Sequence, residues 1–194
     1  MAIETEIKFR VCDIAALEEQ LQAAGFHLET PRAFESNTLY DTPTRAMRTR
    51  TEILRLRGYN GHWIVTHKRP PAAETGMNAE GDPHKHRIEL ETVVANGAIM
   101  AEIFLALGLT PAFRYEKWRT EWSDGSGHCV IDETPIGIFA ELEGSPEWID
   151  LSARKLGIDR TSYMTESYGR LFEQWRAKHE SQAENLTFEE IQLS

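Results

Sequence analysis

Glu4, Glu6 and Lys8 occupy every second position of the opening stretch ETEIKFR, interleaved with Thr5, Ile7 and Phe9. Read as a strand, this stretch sets two carboxylates and an ammonium in a row on one face and a largely apolar set on the other. The arrangement returns along the chain. Arg55 and Arg57 alternate with Leu54 and Leu56, and Arg87, Glu89 and Glu91 with Ile88 and Leu90. Lys117 and Arg119 share a parity, and Glu141 and Glu143 flank Leu142. A sheet with one solvated, ion-paired face explains any one of these strands. It explains the set less well, because like charges two residues apart repel unless something between them neutralises both. Mg²⁺ or Mn²⁺ does so for paired glutamates, being hard ions that take carboxylate oxygens. A polyphosphate does so for Lys and Arg, with arginine offering two parallel donors. Acids for a metal and bases for phosphate on one concave surface describe a site for a metal-chelated triphosphate.

Strand-like segments at 2–11, 34–41, 51–58, 62–69, 85–94, 113–122, 128–133 and 138–144 must carry these residues. Asn60-Gly61 and Asp124-Gly125 are short-hairpin signals. A first turn centred on Asn60-Gly61 sets Arg55 opposite Thr66 and Arg57 opposite Ile64, so Lys68 joins the arginines' face. A second centred on Asp124-Gly125 sets Lys117 opposite Asp132. One face then collects the acids Glu4, Glu6, Glu89, Glu91, Asp132, Glu141 and Glu143 and the bases Lys8, Arg55, Arg57, Lys68, Arg87, Lys117 and Arg119. Eight antiparallel strands are enough to close a barrel with such a face inside.

Four helices are expected. The first covers about 13–24, from an Asp13 cap to Gly25. The second covers about 97–107, from Asn96 to Gly108, with Ile99, Ile103 and Leu107 on one stripe. The third runs 151–156 and the fourth 162–179, the latter with Tyr168, Leu171, Phe172 and Trp175 at helical spacing. Residues 70–84, rich in Pro, Gly and Ala, read as a long loop or flap. The chain reads as one domain over 1–180, followed by an acidic, weakly patterned tail over 181–194 that we expect to be frayed or disordered.

The 194 residues suffice for one sizeable core, and the net charge of −10 argues against a general nucleic-acid binder. Cys12 and Cys129 lack CxxC spacing and read as reduced packing residues. With no apolar leader and no run of about 20 apolar residues, the expectation is a cytoplasmic protein without a membrane partner. His84 and His86 form HxH, a spacing that can hold a metal but beside a loop reads more simply as an incidental surface pair. His62, His67 and His128 sit near strand ends or turns, Trp118 and Trp122 read as wall and core packing, and no GxxxxGK loop is present.

The Glu4-Glu6-Lys8 signature resembles the CYTH family of triphosphate tunnel metalloenzymes, and the later motifs follow in order. They are YDT at 40–42, LRLR at 54–57, HK at 67–68, RIELE at 87–91, EKWR at 116–119, ID at 131–132 and FAELEG at 139–144. The resemblance covers about residues 2–175, with the 70–84 insertion and the end of the chain as departures. It implies an α+β fold: an eight-stranded antiparallel barrel forming a tunnel, with helices packed outside. The seven bases would grip the triphosphate, and Glu4, Glu6, Glu141 and Glu143 would bind Mg²⁺ or Mn²⁺. Glu89, Glu91 and Asp132 would bind metal or position water, and Lys8, Lys117 and Asp132 are the candidate catalytic residues. SYGRLF at 167–172 is similar to the ending of class IV adenylate cyclase-like members, so conversion of ATP to cyclic AMP and pyrophosphate is the first expectation. Hydrolysis of tripolyphosphate, thiamine triphosphate or a nucleoside triphosphate is the second, and a non-catalytic polyphosphate or nucleotide binder the third. A homodimer is left open.

Overall fold

Eight strands, each antiparallel to both neighbours, close into a barrel in the computed structural model, which describes residues 2–192. The strands are β1 (Ala2–Arg10), β2 (His27–Asp41), β3 (Ile53–Tyr59), β4 (His62–Arg69), β5 (Lys85–Val94), β6 (Thr110–Ser123), β7 (His128–Thr134) and β8 (Gly137–Glu143). Around the ring they run β1, β5, β4, β3, β2, β6, β7, β8, and β8 returns to β1 with Glu6 directly opposite Glu143. Six α-helices accompany them among the described residues: α1 (Ile14–Ala23), α2 (Ala46–Thr49), α3 (Gly97–Ala106), α4 (Pro146–Lys155), α5 (Tyr168–His179) and α6 (Phe188–Gln192). Among the described residues no helix is long and apolar enough to cross a membrane.

The apolar parity of the strands faces outward, where helices cover it. Ile7, Phe9, Cys129, Ile131 and Leu142 pack against Leu17 and Leu21 of α1 and Ile149 and Ala153 of α4. A second cluster, on the inward parity, joins Tyr115 and Phe139 to Tyr168, Leu171 and Phe172 of α5, and a third, outside, sets Tyr40 and Leu56 against Phe104 of α3. Most of the hydrophobic core thus lies outside the barrel wall, while Leu39, Phe113, Tyr115 and Tyr168 of the second cluster share the interior with the charged parity.

Local signals place most elements. Asp13 and Asn96 accept hydrogen bonds from the amides of Ala16 and Ile99, both at 3.1 Å, and so cap α1 and α3. Asn60 and Gly61 both take positive φ, 48° and 78°, giving the twist of a two-residue hairpin and pairing Arg55 with Thr66 and Arg57 with Ile64 as expected.

The departures have local causes. The carboxylate of Asp124 accepts from the amides of Ser126 (2.8 Å) and Gly127 (3.2 Å), so the second hairpin has a four-residue loop and Ser123 pairs with His128. Arg119, not Lys117, therefore lies opposite Asp132; the two-residue slip preserves the face. Helix α4 starts at Pro146 behind a Ser145 cap, ahead of the expected 151, since proline suits the first helical turn. Helix α5 starts only at Tyr168, because Met164 instead exchanges two backbone hydrogen bonds with Lys8. Helix α3 is apolar apart from Glu102, and it buries Phe104 while Ile99, Ile103 and the capping Leu107 stay exposed. Cys129 is buried as expected, whereas Cys12 is exposed between β1 and α1.

The expected frayed tail is docked over its described part. Leu186 is fully buried and exchanges backbone hydrogen bonds with Arg114 and Glu116, on the edge of β6 beyond its pairing with β7. Ala183 joins the cluster beneath α5. Two apolar residues and a backbone pairing hold this segment, and neither shows in its acidic composition.

Candidate active site

Strand parity delivers the charged side chains to one interior cavity of about 680 Å³. Twelve of the fourteen charged residues expected on this face line it: Glu4, Glu6, Lys8, Arg55, Arg57, Lys68, Glu89, Glu91, Lys117, Arg119, Glu141 and Glu143. The remaining two, Arg87 and Asp132, do not. Arg87 lies opposite Glu4 in register, but its guanidinium donates to the Thr51 carbonyl at 2.9 Å and lines an adjoining cavity of about 540 Å³. Asp132 is fully buried among Lys117, Arg119 and Tyr168.

Asp132 organises a closed network. Its carboxylate accepts from Lys117 Nζ at 2.8 Å, from Arg119 Nε and Nη2 at 2.7 Å each, and from the Tyr168 hydroxyl at 2.7 Å. Arg119 also donates to Glu141 at 2.9 Å, and Glu141 accepts from Lys8. The Tyr168 ring lies under both ammoniums, 4.3 Å from Lys8 Nζ and 5.0 Å from Lys117 Nζ. Against the cost of burial, Lys8, Arg119 and Lys117 hold the Glu141 carboxyl well below its usual range. Burial also lowers the Lys8 ammonium, but Glu141 and Glu6 outweigh it and hold that pKa above its ordinary value.

Toward β1 and β5 the balance changes. Lys68 donates to both oxygens of Glu4, at 2.7 and 2.6 Å, and lies 3.2 Å from Glu89. Arg57 donates to Glu91 at 3.2 Å, and Arg55 lies 3.7 Å from Glu91 and 3.9 Å from Glu89. Glu4, Glu6 and Glu143 each bring a carboxylate oxygen within 4.8 Å of the other two. Glu6 is bonded to Lys85, which with Lys8 and Lys68 overcomes burial and holds its pKa down to about 2. Among the described residues no basic side chain reaches ion-pair distance of Glu143. Burial, with Glu141, Glu6 and Glu4 nearby, pushes its pKa up to about 8. Of the acids expected to hold metal, the fold gathers Glu4, Glu6 and Glu143, the first two also holding lysines, while Glu89, Glu91 and Glu141 lie outside this cluster and are engaged by bases.

Three converging oxygens, one on a half-buried acid with no cation partner among the described residues, fit a hard divalent ion. Residues 2–168 match the family model described as the CYTH domain. The chain belongs to the CYTH family. A Methanocaldococcus jannaschii protein provisionally named an adenylate cyclase is 29% identical over 144 residues, 74% of this chain and 77% of its own. A Vibrio parahaemolyticus structure, also provisionally named an adenylate cyclase, superposes with a TM-score of 0.72 at 18% identity, over 88% of this chain and 98% of its own. A Hippeastrum protein, provisionally named an adenylyl cyclase and described as having a dominant triphosphatase activity, superposes with a TM-score of 0.57 at 21% identity, over 89% and 96%.

This CYTH tunnel contains residues that the sequence reading passed over. Glu35 is fully buried, directly opposite Lys117 on β2, and lies 3.3 Å from its Nζ and 3.8 Å from Arg57. Asn37 donates to Glu35 at 2.8 Å. Against burial, Lys117, Arg119, Arg55 and Arg57 keep Glu35 well below the usual carboxylate range. Its parity with Asn37 and Leu39 was the available signal, obscured because β2 mixes polar and apolar residues on both faces. Lys85 carried the same signal, sharing the parity of Arg87, Glu89 and Glu91 at the start of β5, whereas Tyr168 carried none, since it opens α5 and only packing of that helix brings it to the acids.

Proposed function

We propose that this CYTH chain is a metal-dependent enzyme of triphosphates, with cyclisation of ATP to 3′,5′-cyclic AMP and pyrophosphate as the first reading. The observation that carries the triphosphate reading is the Glu4, Glu6 and Glu143 cluster facing Lys and Arg side chains across one cavity. Glu4, Glu6 and Glu143 would hold Mg²⁺ or Mn²⁺, which supplies Lewis-acid polarisation of a phosphoryl oxygen. Arg55, Arg57 and Lys68 would bind phosphate oxygens in place of Glu89 and Glu91. Lys8, Lys117 and Arg119 would meet charge on the departing pyrophosphate. Asp132 would position Lys117 and Arg119 and does not line the cavity itself. In cyclisation the ribose 3′-oxygen loses its proton and attacks the α-phosphorus, whose bond to the bridging oxygen breaks.

ATP comes first because Leu39, Ile53 and Phe113 form an apolar boundary shared with the adjoining cavity, room in which a nucleoside could lie. The M. jannaschii relative's name supports the same reading. Hydrolysis of a triphosphate is the second reading. The adjoining cavity also presents Arg45, Arg48 and Arg87, which suit an anion better than an adenine, and the Hippeastrum relative is described as a triphosphatase. Incubation with ATP, tripolyphosphate or thiamine triphosphate, each with Mg²⁺ or Mn²⁺, separates the readings by product. Cyclic AMP with pyrophosphate supports the first and orthophosphate the second. No turnover of any triphosphate with either metal would overturn both.

A further inference from the structure

Outside the tunnel, the stretch Asp82-Pro83-His84-Lys85-His86 enters β5 with its side chains alternating. Lys85 points inward to Glu6, and both histidines point the other way. They are not the surface pair that the sequence suggests, being only 7% and 6% exposed. Each imidazole turns one nitrogen toward Asp82: His86 Nε2 lies 3.2 Å from Oδ2, and His84 Nδ1 lies 3.7 Å from Oδ1. One donor atom from each of the three residues falls within 4.8 Å of the others.

The second nitrogen of each ring is held by a different element. His84 Nε2 lies 3.1 Å from Asp150 Oδ1 on α4, where the Tyr163 hydroxyl also donates at 3.3 Å. His86 Nδ1 lies 2.9 Å from the Thr5 hydroxyl on β1. Asp82 is fixed in turn, its two oxygens accepting from the amides of His84 and Asn78 at 3.0 Å each.

Hydrogen bonds account for the outer nitrogens, while the inner ones converge on Asp82 at ion-pair distance. The 3.7 Å separation of His84 from Asp82 is too long for a hydrogen bond. With its one N–H directed to Asp150, a neutral His84 keeps the Nδ1 lone pair facing Asp82 and His86. The 3.2 Å from His86 Nε2 to Asp82 Oδ2 is close to the roughly 3.3 Å edge of a tetrahedron with zinc-like bonds of about 2.0–2.1 Å, and His84 Nδ1 lies within reach of the same centre. Outer nitrogens tied to a carboxylate and a hydroxyl are the support that metal-bound histidines usually have.

We propose that Asp82, His84 and His86 form a second metal site, for a divalent transition ion of the zinc class, with the fourth position open to water. The ion pins the loop over 70–84 against β1 and α4. Nitrogen ligands separate this site from the all-oxygen tunnel cluster, so millimolar Mg²⁺ does not compete for it. The inference stands independently of the triphosphate reading, since none of the three ligands lines the tunnel.

The test is titration of the metal-stripped full chain with Co²⁺, read by visible absorption. One equivalent giving intense tetrahedral d–d bands is expected, persisting in Glu6→Gln and absent in His84→Ala. Asp150→Asn should weaken Co²⁺ binding by about 10–100-fold, as loss of an outer partner does. Should His84→Ala fail to fold, the wild type decides through imidazole ¹⁵N shifts of His84 Nδ1 and His86 Nε2 on adding one equivalent of Zn²⁺. Weak octahedral absorption, bands that survive in folded His84→Ala, or unmoved ring nitrogens would overturn the proposal.

Discussion

The network around Asp132 and the cluster of Glu4, Glu6 and Glu143 share one tunnel and differ in how their charge is balanced. Around Asp132 two bases and a phenol converge on one carboxylate, and Glu141 closes the circuit through Arg119 and Lys8. In the acid cluster Glu4 and Glu6 each hold a lysine, while Glu143 has no cation in ion-pair range among the described residues. The first arrangement holds its donors in place before any ligand arrives, which is how electrostatic stabilisation avoids reorganisation during reaction. The second keeps acid oxygens together without full neutralisation, so it has affinity left for a cation. Similar side chains thus serve two purposes, set by who their neighbours are.

The comparison breaks most visibly under Glu6→Gln. Removing one charge and keeping the shape should lower turnover by more than about 10⁴-fold, equivalent to about 5.5 kcal/mol, with the fold intact. Steady-state assays at saturating Mg²⁺ check it, and a variant retaining most activity would remove the cluster from the chemistry.

Asp132→Asn should act on stability instead. Lys117 and Arg119 would remain buried with their central counter-charge gone, a loss of about 3–5 kcal/mol when one partner of a buried pair is removed. Urea unfolding measures this, and an unchanged midpoint would show that Glu35 and Glu141 suffice to hold both bases.

The smallest effect per step is a pH slope, at most about 1.4 kcal/mol for each pH unit. The Glu143 carboxyl is raised from 4.5 to about 8 in the folded protein, so between those values the folded state binds a proton that the unfolded chain has lost. The stability Glu143 contributes is complete below about pH 4.5 and is lost as pH rises through about 8. Melting of the metal-free protein should therefore fall more steeply with pH in the wild type than in Glu143→Gln, and added Mg²⁺ should offset the difference at pH 8. Identical slopes for the two proteins would place Glu143 in solvent-like surroundings.

Much of this architecture is legible in the chain. Period-two alternation in ETEIKFR, LRLR and RIELE sorts side chains to opposite faces whatever the strand order. Asn60-Gly61, Asp13 and Asn96 act through bonds to residues a few positions away, so their turns and caps can be read locally. The face that would carry the charge, and the residue types on it, were determined there.

Which charges meet was decided only by closure of the barrel. Glu6 faces Glu143 because β1 pairs with β8, two strands at opposite ends of the sequence. Asp132 gains Tyr168 because α5 packs against the barrel beside it, and Leu186 finds the edge of β6 although its acidic surroundings suggest a loose tail. His84 and His86 become buried because β1 and α4 converge on their short stretch. Alternation is a property of one strand's backbone, whereas neutralisation depends on the distance between charges from different strands. That distance is set by register, helix packing and the loop that Asp124 closes with four residues where two were expected.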